Sequence, residues 1–335
     1  MTSTTFQEKT TTDLRATFQK CLKADGPFEN DDDKAICRQM VEAMPDYLVE
    51  HAANTSYAYW YLAQNPNSTP SEETKISVAM REARRHLSYM SGDYETAQKN
   101  FVESCEYRKE HKLDLLRVCF DKSFVPQPDD AKRCQEMADL VRSDMNLQYV
   151  VMRGKDRGNR AVMIKYPRIK PGTVEEGYVM SQIYMAERSI AATEFMSLGT
   201  EERSSAIFDY NGFDSANSPP FKMQVAAATT VQKLFPERLQ MLVMISPPFW
   251  LRTLLNMLTP LLSSTITQRI KHATGEEEKE AQFSAMMDPE HAPQLLLKAG
   301  KLKSPMSLGH FLEDVPFHCL YDSVKCERSI EPEEK

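Results

Sequence analysis

Hydrophobic residues in the first third of the chain recur at three- and four-residue steps, the spacing that predicts amphipathic helices. One run of this kind, at residues 36–48, follows the acidic residues 31–33 and contains Pro45, which ends or kinks a helix. Another begins at the capping box of residues 69–72, and a third follows the capping residue Asp93. The first part of the chain is therefore predicted to be helical.

The pattern changes after the Pro-rich joint at residues 124–130. Short β-prone runs then alternate with stretches of helical periodicity. The predicted strands are residues 149–153, 161–166, 206–209 and 242–245, and the predicted helices are residues 179–195 and 221–234. Strands that alternate with helices predict an α/β lobe with a mixed, partly parallel sheet.

These changes divide the chain into four parts. We predict a polar tail at residues 1–30, a helical N-terminal lobe at residues 31–125, an α/β lobe at residues 129–320 and a second polar tail at residues 321–335. A chain of this size buries a substantial core without disulfides or metal ions.

Residues 241–266 are apolar over about the length of a bilayer span. Pro247 and Pro248 interrupt the stretch near one end, Pro260 interrupts it near the other, and Arg252 lies between them. A lipid-facing helix would carry unmatched polar groups at these positions, so we predict no transmembrane helix.

The 335 residues include 48 acidic and 41 basic side chains, which give a formal net charge of −7 at pH 7. An acidic chain neutralises phosphates poorly, which excludes nucleic-acid binding as the main function. The hydrophobic fraction of 41% and the charged fraction of 27% are typical of a soluble globular protein.

The sequence shows no recognisable catalytic or metal-binding motif. Its seven cysteines form no C-x-x-C pair and no metal-type ladder with the histidines, so we expect reduced thiols and no metal site. A phosphate-binding loop, an H-E-x-x-H helix and a G-x-S-x-G turn are all missing. We therefore predict no catalytic residues and no cofactor. Since the first residues also lack the apolar core of a signal peptide, we expect a cytoplasmic protein.

A basic segment surrounds the predicted β-hairpin and is opposed only by Asp156. It contains Arg153, Lys155, Arg157, Arg160, Lys165, Arg168 and Lys170. A solvated hairpin with long charged side chains would explain this segment. The alternative is a membrane-facing basic patch, because each basic residue near an anionic bilayer contributes about 1 kcal/mol.

A leucine-rich segment follows the last predicted strand and predicts an amphipathic helix. Its apolar positions include Phe249, Trp250, Leu251, Leu254, Leu255, Leu258 and Leu262. Core packing would explain this apolar face. A mobile gate is the other interpretation, because Phe249 and Trp250 directly follow the turn at residues 246–248, where a moving element can touch a membrane interface.

Five ordered motifs in this half of the chain resemble the CRAL-TRIO family, which includes yeast-type phosphatidylinositol transfer proteins, the tocopherol transfer protein and the retinaldehyde-binding protein. They are Ile207-Phe-Asp-Tyr-Asn-Gly212, Phe235-Pro-Glu-Arg-Leu239, Leu242-Val-Met-Ile-Ser-Pro-Pro-Phe249, Thr259-Pro-Leu-Leu262 and Asp288-Pro-Glu-His-Ala-Pro293. Residues 92–101 and 107–109 are similar to the family's N-terminal helical domain, so the resemblance covers about residues 70–296.

The resemblance implies a CRAL-TRIO fold, in which the helix at residues 249–262 closes a hydrophobic cavity over a β-sheet floor. It also implies non-catalytic binding and transfer, or presentation, of one lipid during transient contact with a membrane surface. Glu237 falls on the glutamate that accepts hydrogen bonds from inositol in the family, and Arg269 falls where a lysine lies near the phosphate. Phosphatidylinositol is therefore the first expected ligand, and the protein is expected to be peripheral on membranes.

Departures from the family pattern leave other ligands open. The serine and threonine that hold phosphocholine in the yeast-type proteins fall on Ser204 and Ala206, so half of that site is missing. Ile266 replaces a threonine of the headgroup set, and residues 85–90 replace an arginine-rich segment. A sterol, a tocopherol or a retinoid is the alternative ligand.

Two other functions stay open at this point. An adaptor would use the first 70 residues to hold a protein partner, through the aromatic cluster Tyr57, Tyr59, Trp60 and Tyr61. An enzyme would use Cys319 or His318, although no spacing supports it.

Overall fold

The computed structural model describes residues 4–24, 28, 30–121, 124–144, 150–167, 174–249, 251, 253 and 264–287. The chain divides into two compact units. The first comprises the residues up to Asp114 together with Thr193–Glu202, and the second comprises Leu115–Ala192 and the residues from Arg203 onward. Each unit buries its own hydrophobic cluster.

Helices account for the N-terminal part of the chain, as predicted. They are α1 (Thr4–Lys23), α2 (Asp31–Glu42), α3 (Asp46–Ala53), α4 (Tyr57–Ala63), α5 (Glu72–Tyr89), α6 (Tyr94–Glu110) and α7 (Leu113–Val118). Pro45 separates α2 from α3, which confirms its predicted role as a helix breaker.

Side-chain caps fix where α2, α5 and α6 begin, and Ser56 caps α4 in the same way. The bonds are donated by the backbone N–H of Asp33 to Asn30 Oδ1 (2.8 Å), of Thr74 to Ser71 Oγ (3.2 Å) and of Thr96 to Asp93 Oδ1 (3.2 Å). The prediction for Asp93 is confirmed. The capping box predicted at residues 69–72 is displaced, because the cap is Ser71 and not Thr69.

The core of the first unit lies among α2, α3, α5 and α6. Met40, Leu48, Ala83 and Phe101 are fully buried there. The predicted periodicity of residues 36–48 thus places Met40 and Leu48 inside, although Ile36, at the start of that run, is exposed.

An aromatic group forms a second contact region in the first unit. The ring of Phe18 in α1 lies 5.4 Å from that of Tyr57 and 4.7 Å from that of Tyr61, and Tyr57 stacks on Trp60 at 5.7 Å between centroids. Phe18, Tyr57, Tyr59 and Trp60 are all buried. Helix α1 therefore occupies most of the segment predicted as a polar tail. Tyr57, Tyr59 and Trp60 of the predicted cluster thus fill a core, whereas Tyr61 is half-buried, and the adaptor hypothesis stays a prediction.

The elements that follow α7 combine strands with helices. They are α8 (Pro128–Ser143), β1 (Val150–Lys155), β2 (Ala161–Lys165), α9 (Glu175–Met196), β3 (Ser204–Asp209), α10 (Phe221–Leu234), β4 (Leu239–Ile245), α11 (Ser264–Arg269), β5 (Ile270–Ala273) and α12 (Glu276–Met286), with a short 3₁₀ turn at Ser215–Asn217. The predicted strands correspond to β1–β4 and the predicted helices to α9 and α10. Strand β5 is not among the predicted elements.

The strands form one sheet in the order β1-β2-β3-β4-β5. Strand β1 is antiparallel to β2, with Val151 opposite Ile164. The other pairs are parallel, and Ile164, Ile207, Val243 and Lys271 lie side by side in register. The predicted mixed, partly parallel α/β sheet is therefore confirmed.

The two faces of the sheet bury different residues, since successive side chains of a strand point to opposite sides. One face carries Val162, Ile164, Tyr166, Ile207, Val243 and Ile245 and packs against Phe283 and Met286 of α12. The other face carries Met163, Lys165, Ala206, Phe208, Leu242 and Met244. The first face forms the core of the second unit, whereas the second face is the floor of a cavity.

A buried carboxylate organises the turn between β1 and β2. Asp156 accepts hydrogen bonds from the backbone N–H groups of Gly158 (2.8 Å) and Arg160 (3.0 Å) and from Ser205 Oγ (2.9 Å). The turn is thereby tied to β3, and the predicted β-hairpin is confirmed.

Candidate functional site

A cavity of about 370 Å³ lies over the Ala206–Phe208 face of the sheet. Alternate residues of β3 and β4 form its floor, α9 and α10 form its walls, and Ile266 and Ile270 contribute from α11 and β5. Most of the lining is apolar. A concave apolar site with a few polar groups suits a hydrophobic ligand.

The walls of the cavity consist of one stripe from each helix. In α9 the stripe is Tyr178, Gln182, Met185, Ala186, Ser189 and Ile190, and in α10 it is Gln224, Ala227, Ala228, Val231 and Gln232. The prediction includes both helices but not these lining residues. Their three- and four-residue spacing is the signal that identifies them, because side chains so spaced share one helix face.

Some polar groups that line the cavity already have partners. Ser205 Oγ donates to Asp156, and Gln224 Nε2 donates to the carbonyl oxygen of Pro219 at 2.7 Å. The hydroxyl of Ser204 has no hydrogen-bond partner among the described residues. Ser204 is therefore able to bond a ligand without breaking a bond that the structure describes.

The predicted headgroup residues Glu237 and Arg269 are in direct contact. Arg269 Nη2 donates to Glu237 Oε2 at 2.7 Å, and Arg269 Nη1 donates to the carbonyl oxygen of Leu239 at 2.7 Å. Arg203 Nη2 lies 3.5 Å from the same carboxylate oxygen. The Glu237 carboxylate is 7% exposed and its backbone adopts a φ of +58°. The structure thus joins the predicted carboxylate and cation in one buried ion pair.

This ion pair lies at the border of the cavity. Within the described chain, neither Glu237 nor Arg269 lines the cavity, but their chain neighbours Arg238 and Ile270 do. Ser204 lies opposite Leu239 at the first residues of β3 and β4. The three predicted headgroup residues therefore gather at the amino-terminal end of these two strands.

The predicted gate is described at its first residues. Phe249 is 84% exposed, whereas Leu251 is buried, packs with Met244 and lines the cavity. The remaining predicted gate residues, Trp250, Leu254, Leu255, Leu258 and Leu262, lie outside the described residues. The predicted gate segment therefore begins with one residue exposed to solvent, Phe249, and one residue that lines the cavity, Leu251.

The described residues of the basic segment do not form one exposed patch. Lys155 bonds Asn159 at 2.8 Å, and Arg157 donates to the carbonyl oxygen of Ser284 at 3.0 Å, both near the β1–β2 turn. The Arg160 guanidinium lies 3.6 Å from Asp156 and is mostly buried. Lys165 is 6% exposed and belongs to the cavity face of β2, so its predicted place in a membrane-facing patch is wrong. The side chain of Arg153, and both Arg168 and Lys170, lie outside the described residues.

Other kinds of site find no support in the described part of the chain. It contains no group of three or more histidine, cysteine, aspartate or glutamate side chains suited to a metal ion. No helix within it is long and apolar enough to cross a membrane. Burial raises the pKa of the Cys105 and Cys119 thiols, which disfavours their reactive thiolate form. Cys319 and His318, the residues of the enzyme hypothesis, lie outside the described residues.

Comparison with known proteins identifies the domain that contains the cavity. No curated protein sequence matches the chain. The crystal structure of Sfh5 has a similar fold, with a TM-score of 0.52 at 15% sequence identity over 84% of this chain and 96% of that chain. Residues 145–296 match the family model of the CRAL/TRIO domain. The predicted CRAL-TRIO fold is therefore confirmed.

Proposed function

We propose that the protein binds a lipid and transfers or presents it without catalysing a reaction, with phosphatidylinositol as the first-choice ligand. The CRAL/TRIO domain is a lipid-binding domain. The observation that carries the proposal is the apolar cavity with Ser204 and the Glu237–Arg269 pair at one end. Burial of acyl chain in such a cavity contributes about 0.8 kcal/mol per CH₂ group, which supplies most of the affinity.

The chemistry of the Glu237–Arg269 pair suits an inositol phosphate headgroup. A carboxylate accepts hydrogen bonds from sugar hydroxyls, and a guanidinium binds a phosphate with two parallel bonds. The hydroxyl of Ser204, which has no partner among the described residues, supplies a third polar group at the same end of the strands. Ile270, next to Arg269, lines the cavity. A lipid whose headgroup binds at the ion pair therefore places its acyl chains over the apolar floor.

Phe249 supports a membrane-dependent step in release. A membrane shifts a conformational equilibrium only if it interacts differently with the two states. An exposed phenylalanine next to the cavity-lining Leu251 provides such an interaction, because aromatic side chains favour the membrane interface. In this proposal the protein is cytoplasmic and visits membranes peripherally.

We expect Phe249→Ala to slow phosphatidylinositol transfer between vesicles several-fold while equilibrium binding stays nearly unchanged. We expect the same result for Trp250→Ala. Val125→Ala is the matched control, because Val125 is 82% exposed and does not line the cavity. Equal transfer rates for Phe249→Ala and the control would contradict the membrane step.

The ligand is identified by purifying the full chain from a eukaryotic host and analysing bound lipid by native mass spectrometry. We expect phosphatidylinositol, and we expect it to be lost from the double variant Glu237→Gln, Arg269→Gln. The control double variant Glu136→Gln, Arg133→Gln removes an exposed ion pair of 3.4 Å on α8 and should retain the lipid. If the bound lipid were a sterol, the proposal that the cavity binds a lipid would stand, but the assignment of Glu237 and Arg269 to a headgroup would be wrong. A protein that binds no lipid, even after incubation with lipid extract, would contradict the proposal.

A further inference from the structure

Among the described side chains of the sheet, Lys165 carries a charge on the floor of the cavity region, and the headgroup proposal does not use it. In β2, Val162 and Ile164 point into the core against α12, whereas Met163 and Lys165 point to the cavity side. Lys165 is 6% exposed. A buried ammonium group is unfavourable unless an opposite charge or strong hydrogen bonds compensate for its lost hydration.

The partners of Lys165 within the described residues are neutral. Its Nζ donates to Gln182 Oε1 at 3.4 Å and lies 5.9 Å from the ring centroid of Phe208. No described carboxylate lies within ion-pair distance of this amine. Asp144 still acts on the charge of this amine, and its carboxylate accepts hydrogen bonds from Ser181 and Gln182. Burial lowers the pKa of Lys165, and Asp144 only partly opposes this effect.

A small polar cavity of about 80 Å³ lies against Lys165, and we call it the polar annex. Its lining includes Lys165, Tyr178, Gln182, Tyr210, Asn217 and Ser218. The annex shares Tyr178, Gln182 and Tyr210 with the main cavity, so the two spaces adjoin. Its volume is several times the roughly 10–15 Å³ that one water molecule needs, which leaves room for a carboxylate or a phosphate group.

Two tyrosines line the same space. The hydroxyls of Tyr178 and Tyr210 have no hydrogen-bond partner in the described part of the chain. Burial raises the pKa of both phenols, so they stay protonated and able to donate. Lys165 and these two tyrosines therefore line one small space, in which Gln182 Oε1 accepts from the Lys165 amine.

The annex lies at the opposite end of the strands from the headgroup residues. Lys165 is the register partner of Phe208, four residues after Ser204 in β3. At about 3.3 Å per residue, these positions are roughly 13 Å apart. A phosphate held at Arg269 is thus too distant to neutralise Lys165, and the acyl chains of that lipid would lie against the amine.

We propose that the polar annex holds the acid group, a carboxylate or a phosphate monoester, of a single-chain amphiphile whose apolar chain occupies the main cavity. The acid oxygens accept hydrogen bonds from Lys165 and from the hydroxyls of Tyr178 and Tyr210, and the acid supplies the opposite charge that no described residue places beside the amine. This inference rests on the proposed function only in that the cavity takes a lipid. It adds a ligand class that does not need Glu237 or Arg269.

The test compares ligands that share an oleoyl or oleyl chain and differ in the polar group. The delipidated full chain is titrated with oleate, with oleoyl lysophosphatidic acid and with oleyl alcohol, and phosphatidylinositol binding is measured in parallel. We expect at least one acid to bind ten-fold or more tightly than the alcohol. The tighter of the two acids identifies the group that the annex prefers. Equal affinity for the acids and the alcohol would overturn the inference in the wild-type protein, without any variant.

Variants assign the effect to Lys165. We expect Lys165→Met and Lys165→Gln to abolish the preference for the acid, while Lys132→Met, which removes an amine that is 89% exposed on α8, leaves it unchanged. An undiminished preference in folded Lys165 variants would overturn the inference even if phosphatidylinositol still binds, and the proposed function would then stand alone. Failure of the wild-type protein to bind any of the four lipids would overturn both.

Discussion

The ion pair between Glu237 and Arg269 leads to the prediction that tests the site most directly. We expect a double-mutant cycle with Glu237→Gln and Arg269→Met to give a coupling energy of about 1–2 kcal/mol. The value follows from burial, because exposed pairs contribute about 0.2–1 kcal/mol and the loss of one partner from a fully buried pair costs about 3–5 kcal/mol. Glu237 is 7% exposed and Arg269 is 16% exposed, so this pair lies between those limits.

Arg269 and Glu237 each make one further contact, and the two contacts have different effects on the coupling energy. The bond from Arg269 to the Leu239 carbonyl is lost in both proteins that lack Arg269, so it cancels in the cycle. Arg203, at 3.5 Å from the same carboxylate oxygen, remains in all four proteins and partly replaces Arg269. For this reason we place the coupling below the value of a fully buried pair.

The assay is urea unfolding of the four proteins, followed by far-ultraviolet circular dichroism, with equal m-values as the condition for comparison. We expect the coupling to persist in 0.5 M NaCl, because salt screens buried pairs weakly. A coupling below about 0.5 kcal/mol, or one that disappears in salt, would refute the description of this contact as a buried ion pair.

The backbone of Glu237 provides a control within the same residue. Its φ of +58° lies in the left-handed region, which is unfavourable by roughly 1–2 kcal/mol for a residue with a Cβ atom. Glu237→Ala and Glu237→Gly remove the same carboxylate, but only glycine relieves the backbone. We therefore expect Glu237→Gly to be more stable than Glu237→Ala by about 1 kcal/mol. The reverse order would show that the loop does not keep this conformation.

Three further predictions concern stability and thiol reactivity. Asp156→Ala should destabilise the protein to urea by about 3 kcal/mol because three hydrogen bonds to a buried carboxylate are lost, and Asp156→Asn should cost less than half of that. Gly199→Ala should lower the thermal midpoint more than Gly92→Ala; both have positive φ, but only at Gly199 does a new Cβ collide with the Cys21 backbone. Burial raises the pKa of Cys21 and Cys37 to about 12, so in the Cys319→Ser, Cys326→Ser protein both should resist Ellman's reagent at pH 8 until the chain is unfolded. Immediate reaction of the native thiols would contradict this burial.

Local signals explain why α10 was predictable and β5 was not. Helix α10 has the predicted bounds of residues 221–234, because prolines at positions 219, 220 and 236 limit it on both sides. Strand β5 is a four-residue segment, Ile-Lys-His-Ala, without a strand-like pattern of its own. It is held by its pairing with β4, and such tertiary context regularly overrides weak strand propensity.

The assignment of Lys165 shows where composition misleads. Counted by charge alone, it belongs with the basic residues around the β1–β2 turn. By strand periodicity, the Lys165 side chain points to the same face of the sheet as Met163 and to the other face from Ile164. Since both faces of a parallel sheet are commonly covered, the period-two pattern was the better predictor of its burial.

The two polar ends of the cavity differ in how far a sequence can reveal them. Glu237 and Arg269 could be found because each lies in or near a motif that resembles a known family, and the structure then joins them at 2.7 Å. Lys165, Tyr178 and Tyr210 come from a strand, a helix and the end of another strand, and no spacing relates them. Only the parallel register of β2 with β3 and the helical stripe of α9 bring them to one small space. The orientation of an anionic ligand in this cavity therefore depends on which end, the one at Arg269 or the one at Lys165, binds its acid group more strongly. Comparing the affinities of an acid and its alcohol measures the contribution of the acid group.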